Sequence, residues 1–190
     1  MGFDIYGLNP SDGTKPDEPH WENIGQKDEK TVAAYFTWQE HTPGAYFRAN
    51  VWYWRPIWEY VCTYCDDILT EKDMDHGTFN DGWRISKTKA KKIAARLRRL
   101  KKDGSLEKHE SMHESRMDSL PDEECHCCDG TGFRNDEIGI EARKKDPTYT
   151  CNGCSGKGTV KNFGSHYPFD SQYMIEFETF CENSGGFEIC

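Results

Sequence analysis

The chain has 190 residues, with 33 acidic and 24 basic side chains and a formal net charge of −9. Leu, Ile, Val and Phe make up only 16% of it, a composition that leans toward disorder, opposed by 13% aromatic content and nine cysteines. The longest purely apolar run is about five residues, Val32 to Phe36, against the roughly 20 that a membrane-spanning helix needs, so the composition predicts a folded, non-membrane protein with a thin aromatic core supported by metal.

The N-terminus, MGFDIYGLNP, has no basic region followed by an apolar stretch, which argues against a secretory signal. Tyr6 stands where myristoylation favours Ser or Thr. Both readings predict a cytoplasmic protein, where clustered cysteines serve metal or redox chemistry rather than disulfides. Phe3 and Ile5 alternate with Asp4 and Tyr6, a short strand signal over 2–8. Residues 9–31, with Pro10, Pro16 and Pro19, read as a long surface loop. Ten of the 26 residues from Tyr35 to Tyr60 are aromatic, and this cluster is read mainly as core, with base stacking beside Arg48 and Arg55 as the alternative. Asn50 is placed to cap a first helical turn, and Pro56 starts or kinks a helix running to Leu69.

Residues 70–83 read as a polar loop, after which Ser86 caps a helix to Lys102 ended by Asp103-Gly104. Its apolar stripe is Ala90, Ile93, Ala94, Leu97 and Leu100. Residues 105–124 read as a polar, frayed helix, and 125–158 as a Cys/Gly-rich segment. Asp170 or Ser171 caps a helix to Glu182, and Phe187 to Cys190 forms a last strand that pairs with the first. The expected fold class is therefore α+β. A helical main domain of residues 1–120 and 162–190, with short terminal strands, carries an inserted cysteine-rich module over 121–161.

The strongest motif is a repeat. Cys125-His126-Cys127-Cys128-Asp129-Gly130-Thr131-Gly132 and Cys151-Asn152-Gly153-Cys154-Ser155-Gly156-Lys157-Gly158 both read C-x-x-C-x-G-x-G, with 22 residues between the pairs. A two-residue gap lets both thiolates of a pair bind one ion from a tight turn, and four thiolates complete a closed tetrahedral site. The glycines let backbone N–H groups fold back toward the sulfurs. The expected ligands are Cys125, Cys128, Cys151 and Cys154 holding one Zn2+ per chain. A redox dithiol pair is the alternative. Cys127 and His126 are read as spare and exposed.

The doubled motif resembles one half of the cysteine-rich zinc region of DnaJ-type co-chaperones. That family carries four such repeats and two zincs, so two repeats imply one site. The His-Pro-Asp tripeptide of the J domain is absent from this sequence, and the resemblance implies the zinc module alone. The flanks MGFDIYGLNP, YFRANVWYWRPIWEYV and NSGGFEIC are similar to small proteins of tailed bacteriophages and their hosts. That similarity implies a phage or prophage setting in a host cytoplasm.

Three further features bear on function. Cys62, Cys65, Cys181 and Cys190 are read as buried free thiols, with a second zinc site as the alternative. His109-Glu110-Ser111-Met112-His113 spells the H-E-x-x-H string of zinc hydrolases. Its polar flanks favour coincidence on a solvated segment. From Arg84 to Lys102 there are ten Lys or Arg and no acid, leaving −19 for the rest of the chain. Lys87, Lys91, Arg98 and Lys102 are the candidate contacts to nucleic acid or a protein partner. Internal neutralisation by Asp66, Asp67, Glu71, Asp73 and Asp75 is the bland alternative. Together these readings predict a small, non-enzymatic, zinc-binding interaction protein, with nucleic-acid binding through the basic helix and metallohydrolase activity as alternatives.

Overall fold

The computed structural model describes residues 2–10, 15–19 and 29–190. In chain order the elements are β1 (Gly2–Gly7), α1 (Glu29–His41), β2 (Tyr46–Asn50), α2 (Val51–Tyr64), α3 (Glu71–His76), β3 (Trp83–Ser86), α4 (Lys87–Lys102), α5 (Ser105–Asp118), β4 (Glu123–Glu124), α6 (Glu137–Lys145), β5 (Thr159–Val160), α7 (Ser171–Asn183) and β6 (Gly186–Ile189). This is an α+β fold. The chain divides into two compact units: a main unit of residues 1–112 with 168–190, and a cysteine unit of residues 113–167.

In the main unit the two terminal strands pair as expected, with Ile5 opposite Ile189. They form the centre of an antiparallel sheet of order β2-β1-β6-β3. Strand side chains alternate between faces, so Phe3, Ile5, Phe47, Ala49, Ile85, Phe187 and Ile189 line one buried face. Helices α2, α4 and α7 cover it. Trp54 stacks on both Phe3 and Trp58, with ring centroids 5.4 Å apart in each pair. Their indole N–H groups donate to the carbonyls of Gly77 and Met74 at 2.8 and 3.0 Å. A methyl group on Gly77 would lie 2.0 Å from the Trp58 ring, so position 77 must lack a side chain. Of the aromatic cluster, Tyr35, Phe47, Trp54, Trp58 and Tyr60 are buried, whereas Phe36 is exposed.

The capping residues act locally as expected. Asn50 accepts from the Trp52 and Tyr53 amides, Ser86 from Lys89, and Asp170 from Tyr173. Pro56 sits inside α2 rather than at its start. That helix stops at Tyr64, five residues short of Leu69. Cys65 leaves the helical conformation, and Asp66 and Asp67 oppose the negative end of the helix dipole. The half-buried Tyr64 carbonyl accepts from the Arg96 guanidinium instead.

Residues 70–83 are not a loop throughout. Thr70 and Asp73 form a reciprocal capping box that starts α3, and 83–86 form β3. Residues 29–31, expected in a loop, begin α1; residues 11–14 and 20–28 of that expected loop lie outside the described residues. Residues 105–118 form helix α5, with Leu106 and His113 buried, so the segment is not simply solvated.

Candidate metal centre

The four cysteines sit on two loops with matching backbone bonds. The Cys125 amide donates to the Gly158 carbonyl at 2.9 Å, and the Cys151 amide donates to the Gly132 carbonyl at 2.8 Å. Within each loop the glycine after the second cysteine donates back to the first. Gly130 reaches the Cys125 carbonyl at 3.4 Å, and Gly156 the Cys151 carbonyl at 3.1 Å. Each knuckle therefore closes on itself and on its twin. The ribbon of β4 and β5 joins the same unit through Glu123 opposite Val160 and Glu124 opposite Thr159.

Glycine is required here by contact as well as by conformation. Gly132 and Gly158 have φ of 77° and 80°. A Cβ on Gly132 would stand 2.5 Å from the Gly156 oxygen, and one on Gly158 would stand 2.3 Å from the Gly130 oxygen. Asp129 and Ser155 also hold positive φ, 48° and 51°, at matching positions of the two repeats. Non-glycine residues resist this conformation, and nothing in the motif foretells that both loops use it.

The sulfurs meet at distances that suit one ion. Cys125 Sγ lies 3.9 Å from Cys151 Sγ, and Cys128 Sγ lies 3.7 Å from Cys154 Sγ. All four lie within 4.8 Å of one another and are buried. A tetrahedral cage with Zn–S bonds of about 2.3 Å places its sulfurs about 3.8 Å apart. A disulfide would need about 2.05 Å. The cluster therefore fits a four-coordinate, thiolate-bound divalent ion, with Zn2+ the ion favoured by four sulfur donors.

The surrounding backbone favours the thiolate at Cys154. Burial opposes ionisation of Cys154, but the Gly158 N–H, 3.3 Å from its sulfur, and the neighbouring thiols outweigh burial and bring it down to about 7. Burial pushes the Cys125 and Cys128 thiols up. A divalent cation supplies the positive charge that lets all four ionise together.

The segment between the knuckles is organised by short-range contacts that the motif does not announce. Asp136 caps α6 by accepting from the Gly139 amide at 2.9 Å, while also pairing with the Arg134 guanidinium. Arg134 reaches the Asn152 side chain in the second knuckle at 3.3 Å. Cys127 is exposed and outside the cage. It rests on Gly153 of the opposite knuckle, where a Cβ would be 2.9 Å from its sulfur.

The other candidate residues are placed elsewhere. Among the described residues, Cys62, Cys65, Cys181 and Cys190 are not gathered into a metal-sized cluster. Cys65 and Cys181 are in the apolar core and Cys62 packs against it, where burial raises all three thiols. Cys190 continues the line of β6 beside β1, exchanging backbone bonds with Asp4 at 2.7 and 2.8 Å. In the H-E-x-x-H string, the His109 ring packs edge-on against Tyr60 and Phe169 at 4.7 and 4.6 Å. The Glu110 carboxylate accepts from the Ser171 amide at 2.8 Å, at the start of α7. His113 Nε2 lies 2.7 Å from the Tyr167 carbonyl. Among the described residues these three side chains are not gathered into a metal-sized cluster.

The basic helix is partly neutralised. Lys91 pairs with Glu182 at 2.5 Å, and Arg98 pairs with Glu178 and Glu182 at 2.7 and 3.1 Å. Two of the four candidate contacts are therefore used to dock α4 on α7. Asp67 and Asp73 do neutralise this helix, through Arg96 and Lys89, but Glu178 and Glu182 do as much, through Lys91 and Arg98, and come from the far end of the chain.

No protein family, curated protein or solved structure matches the chain. No helix among the described residues is long and apolar enough to cross a membrane.

Proposed function

We propose that this is a zinc-binding, non-enzymatic interaction protein. One structural Zn2+ held by Cys125, Cys128, Cys151 and Cys154 organises residues 113–167 into a surface that a macromolecular partner reads. The observation that carries this reading is the closed cage: four buried sulfurs at near-tetrahedral separations use every position that a four-coordinate ion has. A catalytic zinc keeps one position for water or substrate, and this donor set leaves none. The bound ion supplies folding energy and two net negative charges with its four thiolates. The residues around it position the sulfurs and exclude water.

The doubled C-x-x-C-x-G-x-G supports a DnaJ-like single-zinc module, and the flanking sequences support a phage setting. In that setting the protein acts in the host cytoplasm as a modulator of a host complex in defence or transcription. Cobalt substitution tests the closed-site reading. The tetrahedral d–d spectrum of the Co2+ form stays unchanged on adding cyanide or imidazole, whereas an open site shifts. Affinity capture from the native cell with the metal-loaded chain and with Cys151→Ser tests the partner. A partner held equally by both baits contradicts a role for the zinc-organised surface.

A further inference from the structure

The ten cations of residues 84–102 fall into two groups. Arg84, Lys89, Lys91, Arg96 and Arg98 are engaged with acids of the main unit. Lys87, Lys92, Arg99, Lys101 and Lys102 form no ion pair among the described residues. At 3.6 residues per turn, Thr88, Lys92, Ala95, Arg99 and Lys102 fall on one line along α4, and all five are exposed. That line lies opposite the buried Ile93, Leu97 and Leu100. Beside it runs a shallow groove of about 310 Å³ lined by Asp67, Ile68, Lys92, Ala95, Arg96 and Arg99. Arg96 binds both oxygens of Asp67 at 2.9 and 2.8 Å, so Lys92 and Arg99 are the cations of this groove that form no ion pair among the described residues.

We propose that this flank of α4 docks an acidic protein segment that carries an apolar side chain. Carboxylates of the partner meet Lys92 and Arg99, and its apolar residue covers Ile68 and Ala95. Charge complementarity to Lys92 and Arg99 selects an anionic partner, and the apolar floor of the groove selects a protein segment over nucleic acid. A sugar–phosphate strand gains nothing from the apolar floor that Ile68 and Ala95 provide. Three aligned cations also neutralise about three phosphates, too few for tight binding at physiological salt. This surface belongs to the main unit and does not depend on the metal.

Fluorescence anisotropy on the full-length, metal-loaded protein tests it, with a fluorescein-labelled peptide of Glu-Glu-Leu repeats as the probe. The peptide binds, and the double variant Lys92→Glu/Arg99→Glu weakens it by about tenfold or more. Lys87→Glu, off the line, leaves binding unchanged, and Leu→Ser in the peptide weakens it. The milder Lys92→Gln/Arg99→Gln variant gives an intermediate loss, and circular dichroism confirms that each variant is folded. No binding by the peptide, indifference to the double variant, or tighter binding by a duplex DNA of similar length overturns the proposal.

Discussion

The two units of this chain solve the same problem in opposite ways. The main unit buries Trp54, Trp58, Tyr60, Phe177 and Phe187 between a four-stranded sheet and three helices, and area removed from water holds it together. In the cysteine unit the buried cluster is four sulfurs with Val160 packed against them, while Phe133, Ile138, Ile140 and Phe163 stay exposed. So small an apolar centre cannot offset the entropy of ordering the 55 residues from His113 to Tyr167. A structural zinc contributes on the order of 10–16 kcal/mol, which is more than the usual margin of a whole domain. A chain poor in Leu and Val can thus fold if aromatic area stabilises one part and a metal the other.

The sharpest way to break this comparison is to remove the ion. All six tryptophans lie within residues 1–112 and none within 113–167. Chelation, or Cys151→Ser, unfolds the cysteine unit while tryptophan fluorescence and its thermal transition stay near those of the metal-loaded protein. A common loss of both signals would mean that the units are one cooperative structure. The converse variant, Trp54→Ala, costs the main unit about 3–5 kcal/mol, read by denaturant unfolding of the remaining tryptophans, and leaves metal content unchanged.

A comparable loss comes from Asp73. Its buried carboxylate accepts from Thr70 and from the Trp83 indole at 3.0 Å, and pairs with Lys89. Burial disfavours its charge, but these partners outweigh burial and hold it at about 2. Because the folded value lies below the unfolded one of about 3.9, its contribution is full above pH 4 and is lost as pH falls toward 2. Asp73→Ala destabilises the main unit by about 3 kcal/mol at neutral pH and flattens its acid sensitivity in that window, as measured by urea unfolding at several pH values.

Smaller effects sharpen the account of the knuckles. Gly132→Ala meets both a positive φ and the Gly156 oxygen, whereas Gly104→Ala meets a positive φ of 78° and nothing within 4 Å. The first lowers zinc affinity by about 1–3 kcal/mol in competition with a chelating dye. The second costs the main unit about 1 kcal/mol and does not touch the metal.

What was legible in the sequence was local chemistry. Asn50, Ser86 and Asp170 cap helices because a short polar side chain needs only the next turn to act, and the cysteine pairs announce a cage because each knuckle is a single turn. The Thr70–Asp73 capping box was present in the sequence but concealed by its polar surroundings. Strands β2 and β3 are too short for alternation to stand out, and β3 is recognisable only through its pairing with β6, a hundred residues later. The same distance hid the acids that neutralise α4. Glu178 and Glu182 are brought to Lys91 and Arg98 by packing of α7, not by spacing. His109, Glu110 and His113 spell a catalytic motif, yet each is occupied by a neighbour that only the fold supplies.

Metal stoichiometry of the purified chain is the most direct measurement of the central claim. Elemental analysis combined with native mass spectrometry should give one zinc per chain, abolished by Cys151→Ser and unaffected by Cys62→Ser. A metal-free chain with a folded cysteine unit, or two zincs per chain, would contradict it.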